Sequence, residues 1–328
     1  MTVTGPDIKE IRELRKQLAG ETITTPMVRC ASMESAMGGQ TSVQAKLEFL
    51  QRTGTFKARG ALATLHGLSK EQLTAGVTAV SAGNHAIATA FAAQTLGTTA
   101  KVVMISSANP SRVAACKSFG AEVVFADDVH EAFEVVEQIQ REEGRYFVHP
   151  FEGPSVALGT GTVGLEICEQ AGEFDALIVP IGGGGLIGGI ANAVKQLRPD
   201  CEILGVEPVG ADSMHRSRAA GAPLGIDKVE TIADSLGAPF AMPYSFALTE
   251  VNVDRLVLVD DMQLRRTMGF LFSAMKIAVE PACAASTAAL LGPLRDELRS
   301  KRVVLVMCGS NIDWDTFEEQ AIFDEPAT

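Results

Sequence analysis

The 328-residue sequence predicts an α/β protein with two lobes, each built on a parallel sheet. Three observations carry that prediction. Short apolar runs alternate with helical stretches from Val77 onward, and they do so in two blocks. Three motifs of glycine or small polar residues also follow apolar runs directly, where the carboxyl ends of parallel strands place their ligand-binding loops. The blocks set the expected lobes: residues 1–75 with 151–328 as a large lobe, and residues 76–150 as a small one.

The first element is a helix. Asp7 has the character of a cap with Glu10 three places on, and Ile8, Ile11, Leu14 and Leu18 recur at helical spacing. In the first block, strands are predicted around Val77–Val80, Val102–Ile105, Val123–Phe125 and Tyr146–His149. Helices over Ala86–Leu96, from Pro110, and over Glu131–Arg141 separate them. The second block begins with a helix near Val163–Glu169, a strand at Ala176–Ile181, a helix over Leu186–Leu197 and a strand at Glu202–Val206. It closes with a strand at Leu256–Val259, helices over Met262–Met275 and Ala282–Leu291, and a strand at Val303–Met307. No internal repeat or Ser/Gly-rich linker intervenes, so crossing chain is expected to join the lobes. No regulatory domain is expected after the last strand.

Composition narrows the class. With 46% hydrophobic residues the chain can bury a large core, and a net charge of -12 argues against a general affinity for nucleic acid or an anionic membrane. An anionic ligand would have to be held locally, by backbone dipoles. The amino terminus is charged where an export signal would be apolar. The uncharged run from Ala176 to Val194 contains six glycines, Pro180 and Asn192, which suits a strand, a loop and a helix better than a membrane span. Cys30, Cys116, Cys168, Cys201, Cys283 and Cys308 show no C-x-x-C spacing, so reduced thiols in a cytoplasm are expected.

Four segments carry the chemistry. In Thr53-Gly54-Thr55-Phe56-Lys57-Ala58-Arg59-Gly60, a hydroxyl-bearing turn leads to a lysine beside an aromatic ring, and desolvation there would lower the lysine pKa toward nucleophilic use. A surface charge is the ordinary alternative. Gly182-Gly183-Gly184-Gly185 and Leu186 follow an apolar strand and open a helix, a geometry in which backbone N–H groups and the helix dipole cradle a phosphate. No Gly-Lys-Ser/Thr follows, so it is not a Walker loop; a dinucleotide fingerprint is the rival, and tight strand-to-helix packing is the structural alternative. Ser81-Ala82-Gly83-Asn84-His85 lies between a strand and a helix, where Ser81 or Asn84 would otherwise be a cap. Cys308-Gly309-Ser310-Asn311 follows the last strand, and Cys308 alone would read as a buried core residue.

Taken together and in this order, the four motifs resemble those of the fold type II (tryptophan synthase β-like) pyridoxal phosphate enzymes, and within them the serine/threonine dehydratases and serine racemases. The resemblance covers nearly the whole chain. It implies that the cofactor sits between the lobes, that Lys57 carries it as a Schiff base, and that Phe56 packs beside its ring. It further implies that Asn84 bonds the ring hydroxyl, that Gly182, Gly183, Gly184, Gly185 and Leu186 hold the phosphate, and that Cys308 faces the pyridine nitrogen. Ser81, Ala82, Asn84 and His85 correspond to the loop that receives the substrate carboxylate. A neutral thiol cannot keep the ring nitrogen protonated as an aspartate would, so prompt loss of a β-substituent is favoured over a long-lived carbanion. The implied reaction is α,β-elimination from a β-hydroxy amino acid to a 2-oxo acid and ammonia, with Lys57 taking the α-proton and the cofactor phosphate protonating the leaving hydroxyl. L-Threonine and L-serine lead as substrates, ahead of hydroxyaspartate and phenylserine, and a homodimer is implied.

Departures from the family pattern refine this. The racemases place a serine where this chain has Ala82, so poor racemisation is expected. Glu207, Ala211 and Ser213 fall on the positions that hold a mono- or divalent cation in these relatives, but the third is an aspartate there, and Asp212 would reach it only through a shifted loop. His215 and Arg216 read as a solvated helix face. Three rivals stand beside elimination: β-replacement as in cysteine synthases, a catalytically inert cofactor carrier or sensor, and a nicotinamide oxidoreductase built on the glycine loop.

Overall fold

The computed structural model describes residues 3–323, which form two sheets. The strands, in chain order, are β1 (Met27–Arg29), β2 (Ser42–Leu47), β3 (Val77–Val80), β4 (Ala100–Ile105), β5 (Glu122–Ala126) and β6 (Tyr146–Phe147). They continue with β7 (Ala176–Pro180), β8 (Glu202–Pro208), β9 (Arg255–Val259) and β10 (Arg302–Met307). The larger sheet has the order β1-β2-β10-β7-β8-β9 and the smaller β5-β4-β3-β6. Every pairing is parallel except β1 with β2. Helices cover both faces of a parallel sheet, so its strands are apolar throughout. All five residues of β7 are buried, as are Val303–Met307 in β10.

Three differences from the sequence expectations have physical causes. β2 escapes an apolarity search because Gln44 and Lys46 interrupt it, yet it is a central strand and Lys46 is fully buried in an ion network. The helix expected near Val163 runs over Pro154–Gln170, with Pro154 opening it. Its first half contains Gly159 and Gly161, which weaken the helical signal but allow close contact: a Cβ on Gly159 would lie 2.4 Å from the Arg59 carbonyl of the helix Lys57–His66. The strand expected to reach His149 ends at Phe147, where it leaves the sheet to enter the cleft.

The topology gathers the four motifs. They follow the carboxyl ends of β2, β3, β7 and β10, and β2, β10 and β7 are neighbours in the larger sheet. Loops at that end of a parallel sheet meet in the crevice between the lobes.

Candidate active site

A cavity of about 310 Å³ occupies this crevice. Phe56, Lys57, Ser81, Ala82, Asn84 and His85 line it, as do Gly182, Gly183, Gly184, Gly185, Leu186 and Cys308. Short backbone pairings hold the lysine and cysteine segments side by side. Thr55 and Gly309 form an antiparallel bridge, the Phe56 N–H donates to the Cys308 carbonyl at 3.2 Å, and the Ser310 N–H donates to the Gly54 carbonyl at 3.0 Å. Gly54 turns there with φ of +71°, a conformation that favours glycine.

Lys57 begins the helix Lys57–His66. Its amine donates to the Pro150 carbonyl at 2.6 Å and lies 5.2 Å from the centroid of the Phe56 ring. Burial lowers its pKa to about 8 against the opposing pull of the Glu280 carboxylate. A desolvated amine pointing into the cleft is the nucleophile that the sequence suggests. Arg59, two residues on, turns away from the cavity: its guanidinium bonds Glu48 and Glu166 in the protein interior, so it is no receptor for substrate. Arg52 donates to the Gly20 carbonyl at the surface.

Asn84 is not a cap. The helix Asn84–Thr95 is entered through Gly83 without a side-chain cap bond. The Asn84 amide instead donates to both Glu280 carboxylate oxygens, at 3.0 and 2.9 Å, and to Ser235 Oγ at 3.2 Å, and its oxygen accepts from Asn311 Nδ2 at 2.7 Å. Asn311 Nδ2 also donates to the Thr53 carbonyl at 2.8 Å, and its N–H donates to Glu280 at 2.7 Å. Asn84, Glu280, Ser235 and Asn311 thus tie the small-sheet loop to the large-sheet loops beneath the cavity. Ser81 Oγ accepts from the Gly83 N–H at 3.1 Å. The ring of His85 does not offer a proton to the cavity, because its Nε2 donates to the Val148 carbonyl at 2.7 Å, and burial lowers its pKa to about 3.

The glycine loop fits a phosphate. The first N–H groups of the helix Gly185–Leu197 have no intrahelical acceptor, and Gly184 turns with φ of +90° to bring them together. Side chains are excluded here: a Cβ on Gly185 would lie 2.4 Å from the Phe151 carbonyl. Cys308 is a protonated thiol, its pKa raised by a hydrogen bond with Cys283 and by burial.

The cation positions are organised differently from the expectation. Both oxygens of Glu207 accept backbone N–H groups at the start of the helix Ser213–Ala220, from Met214 at 2.9 Å and His215 at 2.7 Å. Burial raises its pKa to about 8. Ser213 Oγ is buried without a partner, and Asp212 pairs with Arg216 at 2.8 Å while its charge acts on Glu207. Among the described residues no cluster of three His, Cys, Asp or Glu side chains is arranged for a metal. Arg216 is exposed as expected, whereas His215 Nδ1 is buried without a partner.

Sequence reading missed several residues. Glu280 and Arg112 lie outside the four motifs, and His149 falls in an expected strand. Arg112 Nε donates to the Asn311 carbonyl at 3.1 Å, and its guanidinium pairs with Asp234 and approaches Glu280 at 3.8 Å. The aromatic side chains Phe133, Phe147, Phe151 and Phe240 line the cavity from segments between the motifs. Their apolar character was visible, but not their convergence.

Comparison with known proteins agrees with this arrangement. The profile of a family described as pyridoxal-phosphate dependent enzyme matches residues 18–309. A phenylserine dehydratase of Ralstonia pickettii is 53% identical over 316 residues, 96% of each chain. An L-threonine ammonia-lyase of Thermotoga maritima is 35% identical, covering 93% of this chain and 76% of its own. The structure of maize serine racemase superimposes with a TM-score of 0.91 at 34% identity, over 96% of this chain and 97% of that one.

Proposed function

Since this chain belongs to the pyridoxal-phosphate dependent enzymes and has their fold type II architecture, we propose that it is an ammonia-lyase converting a β-hydroxy amino acid with an apolar β-substituent to a 2-oxo acid and ammonia. Phenylserine is the leading substrate. This places it ahead of serine and threonine, the reverse of the order that the motifs suggest, because the side-chain walls come from outside the motifs. The observation that carries the choice is the apolar wall of Phe133, Phe147, Phe151 and Phe240, with Phe151 and Phe240 at 6.2 Å between ring centroids. Arg112, the arginine on the wall, is already engaged by Asp234 and the Asn311 carbonyl, so a second substrate carboxylate has no free partner there. The relative that is 53% identical is a phenylserine dehydratase, which supports the same substrate.

When bound, pyridoxal phosphate supplies an aldehyde that condenses with an amine and a conjugated ring that draws electrons from the α-carbon. The protein does the rest. The N–H groups of Gly182, Gly183, Gly184, Gly185 and Leu186 would hold the phosphate, Asn84 the ring hydroxyl and Phe56 a ring face, while the neutral Cys308 thiol would face the ring nitrogen. Ser81, Ala82, Gly83, Asn84 and His85 present a loop and a helix amino terminus to the substrate carboxylate, with His85 contributing backbone. Lys57, once free, takes the α-proton; its desolvated amine suits that role near neutral pH. Ala82 offers no proton, so racemisation lacks a second acid at that position.

We also propose the lobe division of residues 1–75 with 151–328 and 76–150, which the separate sheets support, and a cytoplasmic homodimer, to which the six free cysteines are suited. The decisive experiment compares 2-oxo acid formation from phenylserine, threonine, serine and hydroxyaspartate. Phenylserine is expected to exceed serine in kcat/KM by at least about tenfold, the scale of apolar pocket discrimination. Lys57→Ala should abolish turnover. Absence of 2-oxo acid from all four would overturn the assignment.

A further inference from the structure

His149 is a polar group of the cavity that the motifs do not include, and its protonation state can be read from its partners. Nδ1 accepts two backbone N–H groups, from Phe151 at 3.2 Å and Glu152 at 2.9 Å. An atom that accepts two N–H bonds carries no proton of its own, so the ring proton of the neutral form is on Nε2. Burial and the nearby Lys57 lower the pKa to about 4, which keeps the ring neutral at physiological pH. The rings of Phe147 and Phe151 stand edge-on to it, at 5.9 and 4.7 Å between centroids, and fix its plane. Nε2 has no protein partner among the described residues, and the ring lines the cavity next to Pro150, whose carbonyl holds the Lys57 amine.

Two other polar groups of the wall are engaged by protein partners. His85 Nε2–H is spent on Val148 and the Asn84 amide on Glu280 and Ser235. His149 therefore offers a preset, uncharged N–H donor beside the amine, with its position fixed before any ligand enters.

We propose that His149 is a catalytic residue that donates its Nε2–H to the β-hydroxyl of the substrate and orients that oxygen as it leaves. This rests on the β-hydroxy amino acid reading above. The C–O bond breaks with both electrons passing to oxygen. The proton that Lys57 took from the α-carbon completes the water molecule, while His149 stabilises the developing negative charge and keeps its own proton. A neutral imidazole is suited to this, as a donor that need not be regenerated.

Two substitutions separate the donor from the loop tether. His149→Asn retains an acceptor near the Nδ1 position and removes the Nε2–H, whereas His149→Gln places an amide N–H near Nε2 and removes the tether. Each variant is assayed with a β-hydroxy amino acid and with its β-chloro analogue, whose chloride leaves without proton assistance, and cofactor loading is read from visible absorbance. The expected result is normal loading in both variants. His149→Asn should lose about a hundredfold in kcat on the hydroxy substrate, the scale of removing one hydrogen-bond donor from a developing oxyanion, and remain near wild type on the chloro analogue. His149→Gln should retain most of its activity on both. Equal losses on the two substrates, a His149→Asn enzyme as fast as wild type, or His149→Gln impaired as much as His149→Asn would overturn the proposal. A wild-type enzyme that releases no 2-oxo acid from either substrate would instead defeat the function assigned above.

Discussion

At Lys57, burial and charge pull in opposite directions. Desolvation favours the neutral amine, the Glu280 carboxylate favours the ammonium, and desolvation prevails, leaving a pKa of about 8. A lower pKa means more free amine at a given pH. Cofactor capture by the apoprotein, followed by its visible absorbance, should therefore accelerate with rising pH around 8 and level off above 9, whereas an ordinary lysine would still be gaining past 10. A rate that climbs without inflection to pH 10 would show that the cavity does not desolvate this amine. At this scale the sequence is informative about residue type and less so about orientation. Lys57 stands out through its neighbours and Asn84 and Cys308 through the family resemblance, but the committed ring of His85 and the pinned tautomer of His149 depend on carbonyls and N–H groups that only folding brings to them.

The helices show how glycine positions a site without touching a ligand. Pro154–Gln170 lies between Lys57–His66 and Gly185–Leu197, the two helices that open with the lysine and the phosphate loop. At each contact glycine removes a side chain that would force the helices apart. A Cβ on Gly159 would meet the Arg59 carbonyl at 2.4 Å, and one on Gly189 would meet the Ala157 carbonyl at 2.4 Å. Gly159→Ala is expected to cost about 1–3 kcal/mol in denaturant unfolding, the range for overpacking, and to reduce cofactor occupancy by displacing Lys57. Full occupancy with unchanged stability would mean that the helix pair has slack. Gly159 and Gly161 explain why the first half of Pro154–Gln170 is hard to read. Periodicity finds helices that bury one apolar face, and a helix packed through its backbone gives little such signal.

Across the whole molecule, a buried charge network links these elements. Lys46 from β2, Glu48 just after it, Arg59 from the lysine-bearing helix and Glu166 from Pro154–Gln170 are each at most 2% exposed. Glu166 bonds Lys46 at 2.5 Å and Arg59 at 2.7 Å, and Arg59 bonds Glu48 at 2.8 Å, so two cations balance two anions away from water. Removing one member leaves an uncompensated charge. Glu166→Gln should therefore destabilise the fold by about 3–5 kcal/mol in denaturant titration; a loss below 1 kcal/mol would indicate that water reaches the cluster. The sequence by itself determined the class of the fold, because strand period and helical spacing are local properties, and the order of its four motifs pointed to the enzyme family by resemblance. Only the tertiary structure decided the aromatic walls, the bonds that occupy Glu207, the partners of Asn84 and the direction of the His149 proton. Those arise from contacts between segments far apart in the chain, and their chemistry depends on which groups are left without water.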